Sequence, residues 1–283
     1  MTTSALNHIG SVAQVREASS GNTLDVTQRG GQNRIQRISQ YTTGTDNQTN
    51  TLTVTMSGLL NGSAQPWSGG PAAQTGAEAS ALFQGQAGAQ AQGSNATLVI
   101  GGEFNRFGTA QYGQGNTIAM LTMSGGMNEA GIYQVGTGNR VGSANVSGSD
   151  NRLGIRQNGT ENRVEADVGG SFNGLLVDQI GTDNDADVTI DGERNGWDRS
   201  FGGDAAALGL QPGLIAQDGI GNVASLTVDG SWNVFAFDQD GDGNRIEGRQ
   251  DGDSNQVAIA QSGNHNLVNF TQIGGFNTAA VRQ

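Results

Sequence analysis

Cysteine is absent from this sequence, proline occurs three times, histidine twice, and aromatic residues make up only 5% of the 283 positions. Without cysteine there are no disulfide staples and no thiol chemistry, and a hazard is removed for a chain that crosses an oxidising compartment. The two histidines, His8 and His265, lie near opposite ends of the chain, so neither a metal cluster nor a nucleophile–base pair is expected, and the chain is not expected to be an enzyme. No cofactor is expected. No apolar run is long enough to span a bilayer. Met1-Thr-Thr-Ser-Ala-Leu-Asn-His8 has neither the basic start nor the apolar stretch of a secretory leader, so an exported chain is expected here in its mature form. Positive charge is scarce as well. Fourteen Lys and Arg against 26 Asp and Glu leave a net charge of −12, which suits solubility and argues against nucleic acid as a partner.

What the sequence has instead is 47 glycines and a stride. Asn151, Asn162, Asn173 and Asn184, and again Asn222, Asn233, Asn244, Asn255, Asn266 and Asn277, are eleven residues apart within each run. A short fixed period marks a repeat architecture in which each unit stacks on its neighbours. Aligned on that Asn, the units read Asn-x-apolar-x-apolar-x-Gln-x-Gly. Two steps after Asn stand Phe107, Ile118, Val141, Leu153, Val164, Phe235 and Val257, apolar like all the others at this offset. Offsets zero, two, four and six share one face of a strand. In the regular units none of the last three is charged, whereas the odd offsets carry Arg152, Arg156, Asp185, Asp187, Arg245 and Glu247. The even face is therefore the core, and a period of two excludes a helical stripe.

A longer period lies over the first. At offset six, Gln111, Gln134, Gln157, Gln179 and Gln239 alternate with Thr122, Asn145, Val168, Ile190 and Val228. The true repeat is thus about 22 residues, two strands to a turn. The predicted fold is an all-β solenoid of about nine to ten two-stranded turns, with two facing parallel sheets and rungs about 4.8 Å apart. Beyond Asn244 both strands of a turn close with Gln: Gln250, Gln261, Gln272 and Gln283. Buried amides are costly unless hydrogen-bonded, and a stack gives each one a like partner above and below. The residues expected to form these inward ladders, and to carry polymerisation, are Asn22, Gln28, Asn105, Gln111, Asn128, Gln134, Asn151, Gln157, Asn173, Gln179, Gln217, Asn233, Gln239, Asn244, Gln250, Asn255, Gln261, Asn266, Gln272, Asn277 and Gln283.

Residues 1–21 read as a degenerate lead-in with Val12, Gln14 and Val15 as a poor first strand, and 22–58 as the first solenoid repeats. There Ile35, Ile38 and Gln40 fall out of step by one, which suggests a bulge. Residues 59–93 form an Ala/Gln/Gly-rich insertion in which Ala77, Ala79, Ala81 and Phe83 offer one further strand. Regular repeats fill 94–283, opening on Ser94 in place of Asn, with an inserted loop at about 195–210 that keeps phase. Trp197 and Phe201 in that loop are expected to pack against the flank of their own rung.

The units resemble the curlin repeats of bacterial curli, whose pattern Gln-x-Gly-x-x-Asn-x-Ala-x-x-x-Gln is matched by Gln261-Ser-Gly263-Asn-His-Asn266 through Gln272 and by Gln272-Ile-Gly274-Gly-Phe-Asn277-Thr-Ala279-Ala-Val-Arg-Gln283. The resemblance covers most of 94–283 and, less regularly, 22–58. It implies a secreted subunit that assembles with copies of itself into an extracellular, cell-surface amyloid fibre of the biofilm matrix. It also implies a nucleating subunit and outer-membrane secretion machinery as partners. The chain is longer than a typical curlin, half its middle strands close on an apolar residue, and two insertions interrupt it. A major subunit, a minor nucleating subunit and a relative with its own secretion partners all fit that pattern.

Other motifs weigh less. Asp238-x-Asp240-x-Asp242-Gly243 resembles the start of an EF-hand loop, but Arg249 stands where the bidentate Glu belongs, so strand and turn is the reading preferred. Glu165, Asp167, Asp185 and Asp187 are expected on a solvated face. Acidic glycine-rich turns of this kind slow premature stacking. Rival classes are a monomeric polysaccharide- or ice-binding solenoid and a surface stalk. The outward strand offsets show no flat array of Thr or aromatics, and a stalk needs capped ends. The sequence stops on Gln283, the closing Gln of a unit, so the last rung is expected to template head-to-tail addition onto the degenerate N-terminal rungs.

Overall fold

A computed structural model describes residues 6–16, 21–42, 48–62, 65–86 and 89–283. In chain order the first strands are β1 (His8–Arg16), β2 (Gly21–Gln28), β3 (Arg34–Thr42) and β4 (Thr49–Met56), followed by helix α1 (Pro71–Gln74), β5 (Ala81–Gln84), β6 (Ala91–Gln92) and β7 (Asn95–Ile100). The regular rungs are β8 (Arg106–Gln114), β9 (Thr117–Met123), β10 (Glu129–Thr137), β11 (Arg140–Val146), β12 (Arg152–Thr160), β13 (Arg163–Val168), β14 (Gly174–Thr182) and β15 (Asp185–Glu193). After helix α2 (Gly203–Ala207) come β16 (Leu214–Ile220), β17 (Val223–Ser231), β18 (Val234–Asp240), β19 (Arg245–Asp251), β20 (Gln256–Ser262), β21 (Leu267–Ile273) and β22 (Thr278–Arg282).

These strands wind into a β-solenoid with two parallel sheets. One sheet runs β1-β3-β5-β8-β10-β12-β14-β16-β18-β20-β22 with β6 beside β8, and the other runs β2-β4-β7-β9-β11-β13-β15-β17-β19-β21. The coil has about 11 turns, more than the nine to ten read from the stride, because β1 and β5 each supply a rung outside the regular repeats. Between the sheets lies one continuous core from Ile35 to Val268, built from the even offsets. Burial of these chains at roughly 25 cal/mol per Å² is what holds the two sheets face to face.

Two units depart from the expected faces. The pairings β7–β9 and β11–β13 slip between Ala96 and Leu98 and between Val141 and Ala144, so β9 and β11 each carry an extra residue. Leu121, Met123, Ala144 and Val146 therefore point inward and are buried, whereas Met120, Thr122, Ser143 and Asn145 leave the inward columns where the stride placed them. The twelve-residue spacings Asn116–Asn128 and Asn139–Asn151 are the trace of these bulges. Near the C-terminal end a small residue makes room for a large one. Gly248 sits at an inward offset, and the Phe270 ring fills the space its side chain would take, edge-on to Phe237 at 5.8 Å.

The turns need glycine for two reasons at once. Gly159 has φ 135°, and a Cβ there would lie 1.9 Å from the carbonyl oxygen of Gly181 on the next rung. Its counterparts Gly113, Gly136, Gly181 and Gly219 repeat the arrangement. The second-to-first-sheet turn is laddered too, through bridges that run Glu103–Gly126–Ser149–Ser171–Glu193.

The outer face of the first sheet is not wholly solvated, as the odd offsets led one to expect. Beneath the first insertion lie Gly108, Gly131 and Gly154, whose Cβ positions would strike Glu78, Ala72 and Pro71 backbone oxygens. Helix α1 thus lies across β10, β12 and β14, and α2 across β20 and β22. Trp197 packs on Gly174 of β14.

Candidate functional site

The first sheet carries an unbroken column of eleven glutamines. Gln14, Gln40, Gln84, Gln111, Gln134, Gln157, Gln179, Gln217, Gln239, Gln261 and Gln283 are linked by Nε2–H···Oε1 bonds of 2.6–3.2 Å. Every one of these bonds donates toward the C-terminal end, so the column has a polarity. The second Nε2 hydrogen of each interior Gln goes to backbone. Gln157, for example, donates to the carbonyls of Asn162 at 2.9 Å and Arg140 at 3.3 Å. Donor and acceptor are both satisfied inside an otherwise apolar core.

The asparagines work differently from the amide-on-amide ladder expected of them. In the regular rungs the Oδ1 accepts the backbone N–H of the next Asn in its column: Asn105 from Asn128 at 3.0 Å, Asn128 from Asn151 at 3.0 Å, Asn151 from Asn173 at 2.9 Å. Each Nδ2 donates to turn carbonyls, as Asn151 does to Ser147 at 2.7 Å and Gly170 at 2.8 Å. Direct amide–amide bonds occur in only some steps, such as Asn162 to Asn139 at 3.0 Å. These residues clamp the turn that lets the chain change sheets. Glutamine sets register within a sheet.

Of the residues singled out from sequence, Asn105 through Gln272 are buried in the columns, apart from Asn266, which is half-buried like Asn22, Gln28 and Asn277; Gln283 is exposed. All five of these sit in end rungs. Gln28 was expected to stack on another Gln, but its in-chain neighbour is Met56, whose sulfur lies 3.5 Å from Nε2. The offset-six column of the second sheet reads Gln28, Met56, Ile100, Met123, Val146, Val168, Ile190, Val228, Gln250, Gln272. Glutamine occurs there only at the two ends. Where the column turns from apolar to polar, Gln250 donates to Gln272 at 2.9 Å, and its own buried Oε1 is left without a donor above Val228.

Several contributors escaped the sequence reading. Gln14, Gln40 and Gln84 lie in units that are out of phase with the stride, although the inward spacing Ile35, Ile38, Gln40 shows the bulge that shifts them. Ser94 occupies an Asn position, and its buried hydroxyl has no partner. Asp242, the third acid of the calcium-like motif, accepts the N–H of Ile220 at 3.0 Å and serves the turn.

Among the described residues, nothing covers the end rungs. On the N-terminal face Ile9, Val12 and Val15 of β1 are exposed, and Leu24 and Val26 of β2 are half-buried. On the C-terminal face Phe270, Ala279 and Val281 are half-buried, while Gln272 is almost fully covered. Both faces present an apolar centre flanked by amides, and no described strand pairs with their outer edges.

No model of a protein family matches the chain, and no curated protein matches it.

Proposed function

We propose that this chain is the structural subunit of an extracellular curli-like amyloid fibre and that it polymerises head-to-tail by strand stacking. The observation that carries the reading is the mutual fit of the end rungs. Inside the chain the Gln28 Nε2 meets only the weak acceptor sulfur of Met56 in its column, whereas Gln272 at the other end offers it a like amide. Stacking one molecule on the next brings the Gln272 Nε2 to the Gln28 Oε1 and the Gln283 Nε2 to the Gln14 Oε1, in the same donor direction as every internal bond. The Oδ1 atoms of Asn266 and Asn277 then receive the N–H groups of Asn22 and Asn7, as each does from rung to rung within the coil. Phe270 and Val268 cover Leu24 and Val26. The contact joins two different surfaces, so it yields an open filament.

Register in this assembly is set by amides, because a slip by one residue leaves them buried without partners. The nucleating subunit, the outer-membrane export machinery and the roles in biofilm cohesion and adhesion come with the curlin resemblance and belong to the same reading. The test is electron microscopy and fibre diffraction of the purified chain held at neutral pH. Unbranched filaments with a meridional repeat of about 4.8 Å are expected without any cofactor. A chain that stays monomeric at high concentration overturns the proposal.

A further inference from the structure

The second-to-first-sheet turns place one residue before each Asn in the left-handed region: Leu60, Phe104, Met127, Asp150, Phe172, Arg194, Trp232 and Phe276 among them, with φ near 60°. Their side chains project outward in a single file, one per rung, about 4.8 Å apart. Phe104 and Met127 are about half exposed, at 49% and 56%. Further along, Arg194 lies between the Phe172 and Trp232 rings, 5.0 Å from each. Aromatic side chains, absent as an array from the outward strand offsets, thus recur at intervals along the turns.

At one point this file borders a cleft of about 410 Å³, lined by Phe104, Met127, Asp150, Arg106, Glu129, Arg152 and Ser68 of the first insertion. Glu129 is 2% exposed. Its Oε1 is engaged by the Arg106 guanidinium and by the Ser68 N–H at 3.0 Å. Its Oε2 is buried and has no partner. A carboxylate oxygen without a donor is satisfied by a water or by a bound hydroxyl, and Glu129 lines the cleft where either can sit. Arg152 is held by Asp198 of the second insertion at 2.8 Å, so both insertions shape the site.

We infer that this cleft binds a neutral glycan. An apolar platform of Phe104 and Met127 beside a few fixed polar groups is the usual composition of a small-molecule site, and the flat face of a pyranose suits an aromatic ring. The arginines are each paired, Arg106 with Glu129 and Arg152 with Asp198, and Asp150 stands beside them, so no surplus of positive charge invites an anion and a ligand that both donates and accepts is favoured. Sugar hydroxyls do both: one donates to the Glu129 Oε2, and others accept from the Arg106 and Arg152 guanidinium groups. A chain leaving the cleft along the axis meets Phe172 and Trp232 on the rungs beyond Asp150. The site lies on the flank of the coil, away from both end rungs, so it stands independently of polymerisation.

The test is calorimetry on the full chain with neutral gluco-, galacto- and mannohexasaccharides, and with a uronic-acid hexasaccharide as the anionic probe. At least one neutral hexasaccharide should bind. Phe104→Asn, which suits the left-handed backbone, should weaken binding tenfold or more, as should Glu129→Gln, while Phe276→Asn at the same turn position outside the cleft leaves it unchanged. No binding of any neutral hexasaccharide, equal binding by Phe104→Asn, or preference for the uronic-acid probe overturns the inference. Phe104 is exposed, so its variant reports even if Glu129→Gln fails to fold.

Discussion

The polarity of the glutamine column makes a sharp prediction about the junction between subunits. All internal bonds donate from Nε2 toward the C-terminal end, so across the proposed junction Gln272 would donate and Gln28 accept. Gln272→Glu removes the donor and sets a carboxylate against the Gln28 oxygen. That orphans a buried acceptor, a loss of about 1–3 kcal/mol, and adds the desolvation of a charge that water reaches only in the free subunit. Gln28→Glu keeps the acceptor, so its effect is expected to be smaller. With both changes, two carboxylates stand about 5 Å apart. At an effective dielectric constant near 20 they repel by about 3 kcal/mol, roughly two orders of magnitude in the stacking equilibrium. The pair Gln272→Lys with Gln28→Glu turns the same term attractive.

The assay is seeded elongation, followed by thioflavin fluorescence and by filament length in electron micrographs. Gln272→Glu should slow growth about a hundredfold, the double Glu variant should not grow, and Gln272→Lys with Gln28→Glu should recover to within about tenfold of the parent. Seeds of one charge pattern should also reject monomers of the other. Parental rates in all variants, or a Lys/Glu pair no better than the double Glu, would refute the junction.

Further expectations concern the coil itself. Gln283→Glu should slow elongation more than Arg282→Glu, since only Gln283 lies in the column; equal rates in the same seeded assay would count against it. Gly159→Ala should abolish or severely destabilise the fold, because its Cβ meets backbone at 1.9 Å, whereas Gly115→Ala, at φ 67° with open space around it, should cost only about 1 kcal/mol; denaturant midpoints separate the two. Ser94→Asn restores the missing clamp and should stabilise by about 1 kcal/mol, or about 2–4 °C in melting temperature. Burial raises the Asp238 carboxyl above its ordinary value, and Asp240 and Asp218 raise it further. The folded state then holds that proton more tightly than the unfolded one, so this group's contribution to stability grows as pH falls from neutral through the raised pKa and levels off below the ordinary carboxylate value. Melting of Asp238→Asn should accordingly gain less than the parent as pH falls from neutral to the ordinary carboxylate value.

The faces of the strands were legible because charge is excluded from one parity of the stride, as Arg152 and Asp185 show beside Leu153 and Ala186. The two-sheet coil followed from glutamine alternating with Val168 and Ile190. Less legible was everything that depends on contact between distant segments. Gly108, Gly131 and Gly154 read as neutral outward positions, and only the path of the first insertion shows that they are the bed of α1. The bulges of β9 and β11 cost four inward assignments, Met120, Thr122, Ser143 and Asn145, although the longer Asn spacing records them. The turn positions before Asn hold Phe, Met, Asp, Arg and Trp in no chemical pattern. What they share is a left-handed backbone and an outward direction, which no composition rule reveals.

The distribution of amides in the second sheet bears on why the ends differ from the middle. An apolar column suffices where the chain's own continuity fixes register, as between Met123, Val146 and Val168. At a junction between molecules no covalent link does so, and an apolar face alone stacks in several registers at little cost. An amide there penalises each wrong register by an unpaired donor or acceptor. Polar residues at 28, 250 and 272 thus cost some stability in the single chain, seen in the orphaned Gln250 oxygen, and in the proposed stack they would gain specificity. Gln28→Met with Gln250→Val and Gln272→Val should therefore give a monomer as stable as the parent or more so, whose filaments form readily but lose uniform register. Loss of monomer stability in that triple variant, or filaments with an undisturbed repeat and parental seeding selectivity, would remove this account of the end glutamines.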